Sequence, residues 1–195
     1  MKKLLVERNM ILLAIGALLF FSVGGILTTA VPPLVDPNLY TTDKPVHDYT
    51  EQEQRGMAIY LSEGCVYCHT QQVRKLPSDQ QRYGWRMVDA PPSESWEYTK
   101  DKWHFLGTKR TGPDLARVGG KYSDEWHWAH FKDPRNMGEK FPDRKGIYST
   151  ASIMPSFKYF SDQEIKDLTA YIQTLGRNIN WRVDPNGEPL NDYED

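Results

Sequence analysis

Both cysteines of the chain stand in one short stretch, Gly64-Cys65-Val66-Tyr67-Cys68-His69. Two thiols separated by two residues and followed at once by an imidazole could form a local disulfide, act as a redox dithiol, hold a zinc ion or attach a haem. The order Cys-x-x-Cys-His is the attachment signal of a c-type haem, in which the thiols bond to the two vinyl groups and the histidine binds the iron.

Each of the other uses leaves a requirement unmet. A thioredoxin-like dithiol begins a helix after a strand, whereas this motif follows a predicted helix. A structural zinc ion takes four ligands, and only His127 and His130 could supply the missing ones. A disulfide leaves His69 without a role. The sequence therefore favours one covalently attached haem, with Cys65 and Cys68 as thioether sites and His69 as the proximal iron ligand.

An electron-carrying haem needs a second axial ligand, whereas a gas-binding haem needs an open face. The candidates beyond the membrane segment described below are His47, Met57, Met87, His104, His127, His130, Met137 and Met154. Met57 precedes the motif too closely to reach the far face of the ring. Met154 lies in a loop, SIMPSF, far enough along the chain to reach it, and we predict it as the distal ligand. Core filling is the alternative role of any methionine.

Two further features fit a haem wrapped by the chain. The segment GPDL brings Pro113, whose carbonyl could accept the Nδ1 proton of His69 and fix the ring, although GPDL could also be a simple turn. Among the arginines Arg74, Arg82, Arg110 and Arg117, we select Arg110 as the candidate for a haem propionate. We expect His127 and His130, flanked by Trp126 and Trp128, to be surface or interface residues, and we assign no second metal.

Local signals predict the elements that position these residues. Thr50 and Glu53 form a capping-box pattern, which predicts a helix from Thr50 to about Leu61, directly before the motif. Ser123 predicts a short helix through about Phe131. The stretch 70–128 otherwise predicts loops and short helical turns without strands, a length that a wrapped cofactor would explain.

The last predicted helix begins at a second capping box, Ser161 with Glu164, and ends at Gly176. Its apolar stripe consists of Ile165, Leu168, Ile172 and Leu175. The residues from 177 to 195 are polar and predict a surface or disordered tail.

A membrane segment precedes all of these elements. Residues 10–31 carry no charge and are long enough to cross the roughly 30 Å hydrocarbon layer. The apolar run is too long for a usual signal peptide, so we predict a retained anchor. Lys2, Lys3 and Arg8 precede it, which places the N-terminus in the cytoplasm and the remainder in the periplasm of a bacterium. The prolines of residues 31–48 predict an extended tether and not a regular helix.

Composition bounds the function further. The chain has 195 residues, of which 39% are hydrophobic, enough for one ordinary core. Its net charge of -2 argues against nucleic acid as a partner. We therefore expect a cytoplasmic N-terminus over 1–9, an anchor over 10–31, a linker over 32–49, a haem domain over 50–176 and a tail over 177–195.

The helix before CxxCH, the GPDL turn, the Met-Pro loop and the closing amphipathic helix resemble the class I cytochrome c fold. The resemblance implies a mainly α architecture, a single transmembrane helix followed by a helical domain with long haem-wrapping loops. It also implies that the first and last helices of the domain cross where Gly56 and Tyr60 meet Tyr171.

A narrower likeness covers roughly residues 60–157. The runs YLSEGCVYCHTQQVR, GTKRTGPDLARVGGKYSDEWHWAHFKDPR and SIMPSF are similar to the mono-haem, singly anchored subunit II of cbb(3)-type cytochrome c oxidases. That family implies Cys65, Cys68, His69 and Met154 in the roles given above. The segment from Asn136 to Thr150 is longer than the family's step to the methionine, which leaves Met137 as a rival distal ligand.

The likeness implies an electron-transfer subunit of the bacterial inner membrane that does no catalysis alone. Its partners would be the catalytic subunit of a haem-copper oxidase, further cytochrome c subunits and membrane lipid. Two alternatives stay open at this point. One is the cytochrome c subunit of a nitric-oxide reductase, and the other is a free-standing anchored carrier or sensor.

Overall fold

Helices and loops make up the part of the chain that the structure describes, residues 9–36, 44, 46–85, 88–107, 109–137 and 152–179 of a computed structural model. Those residues contain no strand, and one isolated β-bridge joins Trp85 to Val88. The chain divides into two units, residues 1–44 and 45–195. The prediction of a mainly α protein is confirmed.

The N-terminal unit is one apolar helical rod, Met10–Val35. It consists of helix α1 (Met10–Gly25), a π-helical turn (Ile26–Ala30) and helix α2 (Val31–Val35). The side chain of Asn9 caps α1 by accepting from the backbone N–H groups of Ile11 and Leu12. Of the described helices, this one alone is long and apolar enough to cross a membrane, which fits the predicted anchor.

The prediction of an extended tether beginning at Val31 is wrong for residues 31–35, which are helical. The π turn explains how two prolines follow within a helix. The Val31 N–H donates to the Ile26 carbonyl, and the next segment starts afresh with Pro32 and Pro33 in its first turn. Prolines are tolerated there because those positions need no N–H donor.

The C-terminal unit is built on two helices that cross. Helix α3 (Glu51–Ser62) begins at Thr50, whose N–H donates to Glu53 Oε2 at 2.7 Å and whose hydroxyl accepts from the Glu53 N–H. The last helix has the same reciprocal cap between Ser161 and Glu164. Both predicted helix starts are confirmed.

A glycine allows the crossing to be close. A Cβ added at Gly56 would lie 2.0 Å from the backbone oxygen of Asp167. Beside it, the rings of Tyr60 and Tyr171 pack edge-on with centroids 5.6 Å apart, and Arg55 Nε donates to the Asp167 carboxylate at 2.8 Å. The predicted crossing of the first and last helices of the domain is confirmed.

Two shorter helices and two 3-10 turns complete the described elements. Helix α4 (Pro77–Tyr83) starts at a proline and lies where the sequence predicted only loops and short helical turns. Helix α5 (Asp124–Lys132) is capped by the hydroxyl of Ser123, as predicted. The last helix, α6, spans Asp162–Thr174, and the 3-10 turns are Cys65–Tyr67 and Ser95–Tyr98.

Several expectations lie outside the described residues. They concern the basic N-terminus with Lys2, Lys3 and Arg8, the tether at residues 37–43 and 45, Met87, residues 138–150 of the long segment before Met154, and the tail from residue 180.

Candidate functional site

The cysteine motif forms a tight turn directly after helix α3. Gly64 takes a left-handed conformation, with φ of +72°, that reverses the chain at low steric cost. The N–H groups of Cys68 and His69 then both donate to the carbonyl of Cys65, at 3.1 and 3.0 Å. The turn therefore groups the two thiols and the imidazole in one small region of the surface.

The thiols are half-buried and no disulfide joins them. Burial raises the pKa of Cys65 to about 11. A redox dithiol depends on the opposite shift, because the thiolate is the reactive form. Among the described residues, no three His, Cys, Asp or Glu side chains are grouped to hold a metal ion, so the zinc interpretation gains no support.

The imidazole of His69 is held by one strong hydrogen bond. Its Nδ1 lies 2.7 Å from the carbonyl oxygen of Pro113. A carbonyl oxygen only accepts, so Nδ1 carries the proton and Nε2 keeps the lone pair that could bind iron. Burial lowers the pKa of His69, which favours the neutral, ligating form.

Gly112 makes this arrangement sterically possible. A Cβ at that position would lie 2.2 Å from His69 Cε1, so the ring packs directly on the glycine backbone. The Gly112 N–H also donates to the Cys68 carbonyl at 2.9 Å. The imidazole of His69 therefore packs directly on the GPDL segment, which is more than a simple turn.

Asp114 joins the GPDL segment to the residues directly after the motif. Its carboxylate accepts from the hydroxyl of Thr70, from the Gln72 N–H at 2.8 Å and from the Ala116 N–H at 2.9 Å. The Leu115 N–H donates to the Thr70 carbonyl at 2.8 Å. A buried carboxylate with several donors is well satisfied, which makes the loop rigid.

Arg110 lies beside this loop but binds protein groups. Its Nη1 lies 2.7 Å from the Asp79 carboxylate, and its Nη2 donates to the Gln72 carbonyl at 2.6 Å. Arg74 and Arg110 together hold the pKa of Asp79 well below its usual range. The role of Arg110 as a propionate ligand stays a prediction.

The two rival methionines lie in different apolar clusters. Met154 packs against the main core, as does Cys65 of the motif. Met137 is completely buried in another cluster, with Trp126 and Ala129. The loop of Met154 is fastened to the end of α5, where the Phe157 N–H donates to the Phe131 carbonyl at 2.8 Å.

His127 was predicted at the surface or an interface, but it is only 3% exposed. Its Nε2 and the Nδ1 of His130 are buried, and neither has a hydrogen-bond partner among the described residues. Burial lowers the pKa of His127 to about 3 and that of His130 to about 4, and the nearby His69 contributes to the shift of His130. The pattern W-H-x-x-H gave no signal of this burial, which depends on how α5 packs.

The residues present fit a covalently attached haem. Two free thiols share one turn with a neutral imidazole, whose proton on Nδ1 is set by the bond to the Pro113 carbonyl, and Gly112 makes room for that imidazole ring. Within the described part of the chain, the buried His127 Nε2 and His130 Nδ1 also lack the hydrogen-bond partners that buried polar groups usually have. Cys65, Cys68, His69 and Pro113 come together, whereas Arg110 is directed to Asp79.

A model of the protein family described as cytochrome C oxidase, mono-heme subunit/FixO matches residues 3–178 of the chain. No curated protein matches the chain significantly.

Proposed function

Because the chain belongs to the family of mono-haem subunits of cytochrome c oxidase, also called FixO, we propose that it relays electrons through a covalently bound haem to an oxygen-reducing catalytic subunit. The resemblance noted in the sequence is confirmed, and the chain is a mono-haem subunit of a cytochrome c oxidase in general terms. The covalent link, the ligands and the relay are the proposal.

The observation that carries the proposal is the bond from His69 Nδ1 to the Pro113 carbonyl within a turn that also holds two free thiols. Cys65 and Cys68 would anchor the haem, and His69 Nε2 would bind its iron. The bound haem supplies one-electron redox chemistry at the iron. The Pro113 carbonyl keeps the proton on Nδ1 and the ring in one orientation.

Met154 is the proposed second ligand. It packs against the same core cluster as Cys65, whereas Met137 belongs to another cluster. A thioether opposite an imidazole raises the reduction potential relative to two imidazoles and closes the iron to gas ligands. Both properties suit a carrier that passes electrons to a stronger oxidant.

The proposed location is the bacterial cytoplasmic membrane. The helical rod Met10–Val35 would span it, with the N-terminus in the cytoplasm and the haem domain, residues 50–176, in the periplasm. Proposed partners are the catalytic subunit of a haem-copper oxidase and further cytochrome c subunits. The oxidizing periplasm is also the compartment that suits an exported domain with cysteines.

The covalent link is tested by denaturing electrophoresis of the full chain with detection of protein-bound haem. Wild-type protein should retain haem after denaturation and extraction, because the thioethers survive both. The double variant Cys65→Ala, Cys68→Ala should lose it entirely. Haem that stays bound in that variant, or that is extracted from wild type, contradicts the proposal.

The acceptor is tested on the complex purified through this chain from its native membrane. Turnover of oxygen and the presence of a haem-copper subunit support the proposal. A complex that reduces nitric oxide but not oxygen would assign the chain to a nitric-oxide reductase. If the chain purifies without partners, it would be a free-standing carrier.

A further inference from the structure

Arg110 belongs to a hydrogen-bond network that ends at the proximal histidine. Its Nε donates to the Thr70 hydroxyl at 3.1 Å, its Nη2 to the Gln72 carbonyl at 2.6 Å, and its Nη1 to both oxygens of Asp79 at 2.8 and 2.7 Å. The side chain is only 13% exposed. All three nitrogens of the planar guanidinium therefore donate to protein acceptors.

Thr70 transmits this contact to the GPDL loop. Its hydroxyl accepts from Arg110 and donates to the carboxylate of Asp114, whose side chain is fully buried. A hydroxyl can do both at once because it has one proton and two lone pairs. Arg110 also lies directly across from Asp114, with Nη2 3.5 Å from Oδ2.

Asp114 is the residue whose backbone nitrogen joins the Pro113 carbonyl in one peptide plane. Fixing the Asp114 side chain therefore fixes the oxygen that accepts from His69 Nδ1. The far end of the network is equally firm, because Arg74 Nε binds the same Asp79 carboxylate at 3.0 Å and Asp79 is only 5% exposed.

We propose that Arg110, Thr70 and Asp114 form a clamp that holds the Pro113 carbonyl against His69, and that Arg110 is a positioning residue and not a propionate ligand. This inference rests on the proposed haem function. A strong bond to Nδ1 makes the imidazole a better electron donor to iron, which stabilises the ferric state and lowers the reduction potential.

Two substitutions weaken the clamp without changing the net charge. Thr70→Val removes the bridging hydroxyl, and Arg110→Lys keeps the charge but removes the fork. In the full-length haem protein, we expect both to raise the midpoint potential. We also expect both to accelerate exchange of the His69 Nδ1 proton, followed by NMR, roughly tenfold for Thr70→Val because the buried Asp114 carboxylate loses one of its donors.

The chain offers matched controls for both changes. Thr169→Val removes a buried hydroxyl that has no hydrogen-bond partner among the described residues. Arg55→Lys removes the guanidinium that donates two hydrogen bonds to the Asp167 carboxylate at the helix crossing. Both should leave the potential and the exchange rate at wild-type values. Thr70→Ser, which keeps the hydroxyl, should do the same.

The clamp is contradicted if Thr70→Val and Arg110→Lys bind haem yet leave the exchange rate unchanged, or if the controls change it equally. A potential that shifts in Arg110→Lys while the Nδ1 exchange rate stays at its wild-type value would assign Arg110 to a propionate and also overturns the clamp. Absence of covalent haem from the wild-type protein is a separate result, because it overturns the proposed function before the variants are compared.

Discussion

Met154 and Met137 are alternatives at the scale of single residues, and the structure separates them by environment. Met154→Ala should abolish the far-red charge-transfer band of a methionine bound to ferric haem, because the thioether is removed. Met137→Ala should keep that band, but it should lower the free energy of unfolding by about 2 to 5 kcal/mol because it leaves a cavity beside Trp126. Absorbance spectra and chemical unfolding of the two proteins measure both effects.

The opposite pattern, with the band lost in Met137→Ala and kept in Met154→Ala, would exchange the two roles. The sequence favoured Met154 by its place in the SIMPSF loop but left Met137 as a rival, since both methionines follow the motif at a distance that a loop can span. The packing of Met137 into the cluster on α5, and of Met154 against the cluster that also contacts Cys65, separates them further.

His127 predicts a pH dependence of stability. Burial lowers the pKa of His127 from 6.5 to about 3. Between these two pH values, His127 therefore binds a proton in the unfolded chain but not in the folded chain. Stability therefore falls as the pH decreases from about 7 to about 3. His127→Phe should reduce the slope of unfolding free energy against pH by at most about 1.4 kcal/mol per pH unit.

The measurement is chemical unfolding of the full-length protein in detergent at a series of pH values. Phe160→Leu is the control, because it changes a buried apolar side chain and no titrating group. It should shift the whole curve and leave its slope unchanged. An identical slope in wild type and His127→Phe would mean that His127 is not buried in its neutral form.

At the residue scale, sequence reasoning found the groups that lie close together in the chain. Cys65, Cys68 and His69 are fixed by spacing alone, and the Pro113 carbonyl followed from the chemistry that a ligating imidazole needs. The partner of Arg110 was not found, because Asp79 lies 31 residues away and the two meet only in the folded chain. The burial of His127 was missed for the same reason.

At the scale of elements, the close crossing of α3 and α6 depends on the absence of a side chain at Gly56. Gly56→Ala would place a Cβ 2.0 Å from the Asp167 carbonyl oxygen, so the helices must separate. We expect a loss of about 3 kcal/mol of unfolding free energy. The test compares chemical unfolding of Gly56→Ala with that of a control, Gly107→Ala. A Cβ at Gly107 would lie 3.4 Å from Thr70 Cγ2, an ordinary contact.

Gly107→Ala should cost less than about 1 kcal/mol. Equal losses in the two variants would show that the crossing tolerates a methyl group. A loss confined to Gly56→Ala would support close approach of the helices as the source of the effect.

Element boundaries were predictable where the signal is local. The capping boxes at Thr50 and Ser161 satisfy the first backbone donors of α3 and α6 through neighbouring side chains, so the sequence is sufficient. Helix α4 is too short to show a hydrophobic period, although Pro77 marks its start. Helix α2 was missed because the π turn before it makes a proline pair acceptable in a helix.

At the scale of the whole molecule, the two units have separate requirements. The N-terminal rod has no buried residue in its most apolar part and needs lipid or another helix around it. The C-terminal unit has its own core, built around α3 and α6. The loops and short helical turns of residues 70–128 were expected from the sequence, but their hydrogen bonds to the Asp79 and Asp114 carboxylates were not.

The central claim is that electrons reach the oxidase through the haem on His69. The most direct measurement is oxygen consumption by the purified complex with a reduced chemical mediator as donor, for wild type and His69→Ala in complexes of equal subunit composition. We expect the wild-type complex to consume oxygen and His69→Ala to lose most of that rate, while its catalytic subunit keeps its own spectrum. An unchanged rate in His69→Ala would contradict the relay.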